Sequence, residues 1–419
     1  EHPAGSPESK AQAAQNDNYR LILESNAKSA ESDNLPYFPA FKADPAQNYI
    51  RVDDSVIGLE GVVVYRTGYG KPADFCLIAT DNNPDLTFVH NTDRKDAGAL
   101  ASSLGKVAEG DIEIKVATQN VLNYFNSPFG GDYNNHGDNR GATSYSEYDK
   151  QKAKIISAIR GLDADIVGLM EIENNGFGKN GAIAELVNDI NLYYDEPKIS
   201  KKYKPESTSN RYAFIGFDSN GDVVIDSDDS IGGDAITSGM LYRPEKVSLD
   251  AVKIIPMPSQ HDKPVVNNNG EIVKNYTDAV LESGDNYMRD SLAVTFMINQ
   301  TGKKLTVAVN HLKSKGSTCA EDWDGIDLGD KIKLAFNEDK ALLDDSDYQG
   351  NCENFRVAAA VQLGDELAKI GGYTVILGDM NSYAQEEPML VLTEIPEGTT
   401  ITAARNTFIG KDPQFGANG

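Results

Sequence analysis

Several apolar runs in this chain each end on a polar side chain able to do chemistry. Asn120 follows the alternating run 112–118, Glu171 follows Ile166-Val167-Gly168-Leu169-Met170, Asn310-His311 closes the run 305–310, and Asp379 and Asn381 follow 374–377. An amide, a carboxylate, an imidazole and an Asp-x-Asn pair suit one divalent cation and one phosphodiester. A hard ion such as Mg²⁺ or Mn²⁺ takes one or two carboxylates and completes its shell with water and phosphate oxygens, so Glu171 with Asn120 reads as the metal pair. Asp379 can orient or deprotonate an attacking water, Asn381 can hold that water or the phosphate, and His311 can hydrogen-bond phosphoryl oxygens as charge builds. Each has a plainer reading alone: an Asp-x-Asn after a strand is usually a turn or a cap, and a single histidine is usually packing or surface. Glu171 is harder to dismiss, because an acid that ends a buried run costs desolvation. Glu173 reads as a solvated neighbour.

Ligands of open α/β sheets bind beyond the carboxyl ends of the strands, so the surrounding elements must bring these residues to one edge. The pattern from 112 onward supplies them. Helical spacing over 147–161 leads into a buried strand at 165–170, and a second helix spans 182–192. Strands are expected at 235–242, 247–255, 292–298 and 305–310, then an amphipathic helix at 355–370 and a buried strand at 374–377. Such alternation predicts an α/β sandwich. Residues 1–18 are small and polar and read as a disordered or tag-like terminus. Between 19 and about 89 short apolar runs broken by Pro, Asn, Asp and Gly predict a small all-β, barrel-like module, joined by a polar stretch whose boundary falls within 90–112.

The catalytic-type segments, in order, are Val116-Ala117-Thr118-Gln119-Asn120-Val121-Leu122-Asn123-Tyr124-Phe125, the stretch 165–176 (DIVGLMEIENNG), 238–247 (SGMLYRPEKV), 309–313 (VNHLK) and 377–381 (LGDMN). In wording and order the chain from 112 to 419 resembles the endonuclease/exonuclease/phosphatase superfamily, in particular secreted bacterial nucleases of the ExeM/NucH type. That resemblance implies a four-layer α/β/β/α sandwich, deoxyribonuclease-like, preceded at 19–111 by an OB-like module and linker. It implies a secreted, metal-dependent nuclease acting on extracellular DNA, with RNA as a further substrate, for instance in a biofilm matrix. Glu171 and Asn120 match metal ligands, His311, Asp379 and Asn381 catalytic positions, and Arg289 the phosphate-facing arginine, with Asn120, Arg289 and Asn381 toward substrate. Where relatives follow that arginine with prolines, this chain has Asp290-Ser291. The family also carries a late histidine, whereas the five here are His2, His90, His136, His261 and His311. The stretch is therefore expected to turn over weakly or not at all while still placing Asn120, Glu171 and Asp379 near a metal. A phosphatase or sphingomyelinase-like phosphodiesterase, and a noncatalytic DNA-binding relative, are the rival readings.

Charge and composition narrow these. A formal net charge of −25 argues against a broad basic surface, so any nucleic acid is held locally and with help from a cation. No run reaches the roughly eighteen apolar residues of a membrane span. Three cysteines are too few for a disulfide scaffold, and their spacing is not that of a zinc site. Cys319 and Cys352 bracket an Asp- and Gly-rich loop. A disulfide is favoured there over two buried thiols, given the resemblance to secreted proteins, and Cys76 is expected buried. The segment 218–229, rich in Asp, lacks a calcium loop's glycine at the sixth position and its Glu at the twelfth, and reads as an acidic hairpin loop. The stretch 321–330 with Asp344-Asp345 reads first as solvated loop, and Ca²⁺ enters only as a structural or second ion. Tyr65, Tyr69 and Phe75 can stack on bases but are more often core. A monomer is favoured.

Overall fold

Ile166–Met170 is apolar at every position, which suits a strand covered on both faces, and the architecture follows from that need. The structure is a computed structural model describing residues 6–25, 35–43, 48–68, 71–81, 83–91, 108, 111–195, 210–260, 265–266, 272–274, 286–317, 319–323, 349–404, 407–410 and 412–415. It divides into two compact units, Glu1–Asp96 and Ala97–Gly419.

The first unit holds helices α1 (Pro7–Asp17) and α2 (Ala40–Ala43) and strands β1 (Ile22–Glu24), β2 (Ser55–Ile57), β3 (Gly61–Gly68), β4 (Lys71–Ala79) and β5 (Thr87–Val89). The strands form a three-stranded sheet, β1-β4-β3, and a separate pair, β2-β5. Helix α1 occupies residues expected to be an unstructured tail. Ser6 caps it by accepting from the Ser9 amide, and Pro7 falls at the first turn, where its missing N–H costs nothing. Cys76 is a buried free thiol, as expected. Tyr65 and Phe75 are exposed rather than core, with ring centroids 5.0 Å apart, and Tyr69 lies outside the described residues.

The second unit contains β6 (Val116–Tyr124), α3 (Tyr145–Leu162), β7 (Ile166–Glu173), α4 (Ala182–Asp195), β8 (Ala213–Phe214), β9 (Ile236–Tyr242) and β10 (Val247–Ile255). It continues through β11 (Ser259–Gln260), β12 (Val265–Val266), β13 (Ile272–Lys274), β14 (Asn286–Tyr287), β15 (Ser291–Ile298), β16 (Lys304–His311), α5 (Glu353–Ile370), β17 (Tyr373–Asp379), α6 (Glu387–Leu392), β18 (Thr407–Ile409) and β19 (Asp412–Phe415). Two four-stranded sheets, β6-β7-β9-β8 and β10-β15-β16-β17, carry the fold. Strand alternation assigns their faces. Ile166, Met170, Met240, Leu292, Val294, Val307 and Val309 meet between the sheets, while Val167 and Leu169 point the other way into Ile155, Ile159, Ile183 and Leu186 of α3 and α4. On the far side, Ala293 and Ala308 leave room for Phe355, Ala358, Ala359 and Leu363 of α5. The result is the four-layer α/β/β/α sandwich expected from the sequence. Helix α3 starts where a capping box predicts: Ser144 accepts from the Glu147 amide at 3.3 Å and Glu147 reaches back to the Thr143 amide at 3.0 Å.

Cys319 and Cys352 are disulfide-bonded across a sequence separation of 33, with Cα atoms 5.0 Å apart, and both are fully buried. Closing that loop contributes about 3–4 kcal/mol by chain entropy, so the Cys319→Ser/Cys352→Ser variant is expected to unfold at correspondingly lower urea. An unchanged midpoint would contradict this. Asp322, expected in a solvated loop, is instead buried beside the bridge and accepts from the Cys319 amide at 2.7 Å and the Cys352 amide at 3.1 Å. Residues 324–348 of that loop lie outside the described residues. Burial, with the charge of Glu321 next, pushes the Asp322 carboxyl up to about 7 from its ordinary 3.8. The native state then binds more protons than the unfolded chain between those values, and stability falls as pH rises through the window. Asp322→Asn should flatten this part of the pH–stability curve, as read by urea midpoints from pH 4 to pH 7.5. An unaltered curve would show that Asp322 is not the titrating group.

Candidate metal and phosphate site

Glu171 owes its position to a break in the ladder. The pairing of β7 with β9 shifts between Leu169 and Ile172, and that of β6 with β7 between Asn120 and Tyr124. Glu171 is the extra residue of the bulge and holds φ at 64°, so that Ile172, which strict alternation would send between the sheets, packs with the α3 and α4 cluster. The bulge lies within β7, whose pairing with β9 resumes at Ile172, and it turns the carboxylate toward Asn120 and Asn123. Leu122 and Asn123, opposite it, and Asn381 also hold positive φ, which makes four of the eight non-glycine residues of that kind among the described residues neighbours of one site. Such conformations cost energy for L-residues and are kept where surrounding structure over-determines them.

The remaining groups arrive from the second sheet. β16 and β17 pair in parallel with Asn310 opposite Gly378 and His311 opposite Asp379. Gly378 cannot carry a side chain, because a Cβ there would lie 2.0 Å from the Asn310 carbonyl oxygen. Ligating atoms of Glu171, His311 and Asp379 all lie within 4.8 Å of one another. Asn120 joins both acids, its Nδ2 donating to Glu171 Oε1 at 3.0 Å and to Asp379 Oδ2 at 3.2 Å, while its Oδ1 accepts from the Leu122 amide. The Asn123 amide donates to Glu171 Oε2 at 2.9 Å. Asn381 is tied in from behind: its amide donates to Asp379 Oδ1 at 3.0 Å and its Nδ2 to the Leu312 carbonyl at 2.9 Å. A cleft of about 580 Å³ opens beside them, lined by Asn120, Asp379, Asn381, Lys315 and Tyr383 among others.

His311 Nε2 is 3.8 Å from Glu171 Oε1, within ion-pair range, yet the contact is not ionic. Burial above all, and then the charge of Arg289, push the imidazole down to about 4, against the raising pull of Glu171, Asp379 and Asp234. The ring is neutral at pH 7. Its Nδ1 is buried with no hydrogen-bond partner among the described residues. No lysine or arginine among the described residues pairs with Glu171 or Asp379, so the two carboxylates share the Asn120 amide and are otherwise met by neutral groups, the Asn123 and Asn381 backbone N–H and the His311 ring. That donor set fits a hard divalent cation, which would offset their repulsion, with Glu171 as carboxylate ligand and Asn120 turning its oxygen inward.

Arg289 stands just before β15. Its Nε donates to Asp234 Oδ2 at 2.9 Å, and Asp234 Oδ1 accepts from Arg140 at 2.6 Å. The Asp290-Ser291 pair that replaces prolines is structured, since Asp290 Oδ1 accepts from the Met257 amide at 2.9 Å and Ser291 pairs with Ile255. Sequence reading missed Arg140 and Asp234, which meet across long sequence separations. It also misread Glu173. That residue is not solvated but buried, and accepts from the amides of Asn126 and Ser127, at 2.7 and 3.0 Å, and from the Ser127 hydroxyl at 2.5 Å. Its carboxylate braces the turn that follows β6. Arg356 was missed too: fully buried in α5, it donates to Ser382 Oγ at 3.2 Å and to the Asn351 carbonyl at 2.6 Å, anchoring the chain just past Asn381. The acidic segment 218–229 is a largely exposed loop, as expected, and it is closed by its own carboxylates. Asp218 accepts from the Gly221 and Val223 amides, and the buried Asp229 from those of Ser219 and Asp226.

Solved structures that match the chain include the human Nocturnin catalytic domain with bound sulfate, at 14% identity over 66% of each chain with a TM-score of 0.33. ANGEL2, a 2′,3′-cyclic phosphatase, matches at 13% identity over 67% of this chain and 57% of that one, with a TM-score of 0.35. An endonuclease/exonuclease/phosphatase from Bacteroides vulgatus matches at 13% over 67% and 70%, with a TM-score of 0.32. No protein-family model matches the chain, and no curated protein does. At these values the fold rests on its own strand pairings and the site on its own distances.

Proposed function

We propose that the chain is a divalent-metal-dependent phosphodiesterase that hydrolyses DNA, with RNA as a further substrate. The observation that carries the reading is the meeting of Glu171, His311 and Asp379 within 4.8 Å around the Asn120 amide, with Arg289 close enough to weigh on His311. Mg²⁺ or Mn²⁺ held by Glu171 and Asn120 would supply Lewis-acid stabilisation of the phosphoryl oxygens. The protein's own groups do the rest. Asp379, fixed by the Asn381 amide and Asn120, orients water and accepts its proton. Neutral His311 offers an N–H to a phosphoryl oxygen as charge builds, and Asn381 and Arg289 hold the phosphate. Lys315, ion-paired with Glu386 at 2.5 Å, also places its Nζ 4.7 Å from the Tyr383 ring centroid, and the exposed Tyr383 ring gives the cleft an aromatic wall on which a base can stack. Secretion to the extracellular space belongs to the same reading, in keeping with the buried disulfide, and Ca²⁺ enters it as a structural or second ion.

The test is cleavage of supercoiled plasmid in Mg²⁺ or Mn²⁺ against EDTA, with sphingomyelin and nitrophenyl phosphate run in parallel. Metal-dependent nicking with no turnover of the other two supports the nuclease. Turnover of sphingomyelin or the monoester alone would replace it with the phospholipase or phosphatase reading, and DNA binding in EDTA with neither cleavage nor Mn²⁺ binding would favour a noncatalytic binder.

A further inference from the structure

Asp234 is buried between two guanidinium groups, with Arg140 at 2.6 Å on one oxygen and Arg289 at 2.9 Å on the other. The three residues come from separate segments: the loop before α3, the chain entering β9 and the chain entering β15. Each is held near the site by contacts of its own. Gly141, next to Arg140, lies so close to Asn123 that a Cβ would sit 2.2 Å from its carbonyl oxygen, and the Asn123 amide in turn binds Glu171. Asn174 donates to the Asp234 carbonyl at 3.0 Å and Asn134 to that of Ala235 at 2.9 Å. A Cβ on Gly232 would meet the Asp290 carboxylate at 3.4 Å.

One carboxylate between two arginines leaves a net positive charge beside the site, in a chain whose formal charge is −25. Asp234 uses one nitrogen of each arginine. Their other nitrogens have no hydrogen-bond partner among the described residues. Burying an acid between two charges is a poor way to gain stability but an effective way to hold two planar donor groups in register. The Arg140 side chain is 42% exposed against 19% for Arg289, which makes Arg140 the outer member of the pair.

We propose that Arg140 is a substrate-binding residue that grips the phosphate next to the one being cleaved, and that Asp234 is the positioning residue locking Arg140 and Arg289 into one clamp. This rests on the phosphodiesterase reading and narrows it to a polynucleotide, whose successive phosphates can engage the two arginines together.

The experiment measures binding of a fluorescein-labelled single-stranded deoxyoligonucleotide by anisotropy, with Ca²⁺ and across a salt series, for the wild type, Arg140→Ala, Arg140→Gln and Asp234→Asn. Losing Arg140 should weaken binding about ten-fold and reduce the slope of log affinity against log salt by about one, the signature of one lost phosphate contact. Asp234→Asn should weaken binding as well, and adding Arg140→Ala to it should cost little more. Wild-type affinity and slope in both Arg140 variants would overturn the proposal, as would absence of oligonucleotide binding by the wild type. Arg140 is partly exposed, so its variants decide the question even if Asp234→Asn fails to fold. Failure of the parent reading looks different: binding keeps its dependence on Arg140 while the wild type cleaves neither plasmid nor bis(p-nitrophenyl) phosphate.

Discussion

Glu171→Gln is expected to lower whatever metal-dependent phosphodiester cleavage the wild type shows by about 10²–10³-fold, because it removes the negative charge on which cation binding depends. The change is close to isosteric, and the amide oxygen can still accept from the Asn123 N–H now bound at 2.9 Å. The other half of the new amide would then face the Asn120 Nδ2, donor against donor, and Asn120 must turn. That local conflict should leave the melting temperature nearly unchanged, since Glu171 lies at a bulge within β7 and outside the three large hydrophobic clusters. Plasmid nicking and bis(p-nitrophenyl) phosphate hydrolysis read the first expectation and thermal melting the second. Cleavage at the wild-type rate would remove Glu171 from the metal site.

Asp379→Asn is expected to lower kcat by about 10²–10⁴-fold, the range for loss of a positioned acid–base group. Its Oδ1 anchors the Asn381 amide at 3.0 Å, a role that an asparagine oxygen can keep, so the loss reports the missing charge and proton acceptor more than a collapsed turn. The effect should fall mainly on kcat, with metal affinity less altered than in Glu171→Gln. Equal losses of metal affinity in the two variants would instead make Asp379 a ligand in its own right.

The frame was readable because its signals are local. An unbroken apolar run at 166–170 reads as a covered strand, the helical spacing over 147–161 marks a helix, and an Asp-x-Asn just past an apolar run falls at a strand end; the strand at 374–377, expected buried, is only partly so. What could not be read depends on long-range encounters or on departures from regular geometry. Glu173 looked exposed because nothing nearby shows that the turn after β6 returns to bury it. Arg140 and Asp234 are 94 residues apart, and only their convergence gives them meaning. The bulge at Glu171 breaks the alternation that strand reading relies on, and it is the device that turns the acid toward the site. At α1 small, polar composition read as a tail, although the Ser6 cap and a proline at the first turn favour a helix.

Glu171, Asn120, Asp379 and His311 converge on one site, where Glu171 with Asn120 is expected to hold a divalent cation. That expectation is tested most directly by electron paramagnetic resonance of Mn²⁺ added to metal-stripped protein, which reads binding without requiring turnover. Saturable Mn²⁺ binding by the wild type, displaced by Mg²⁺ and lost in Glu171→Gln, is expected. Mn²⁺ binding of equal strength in the wild type and in Glu171→Gln would contradict it.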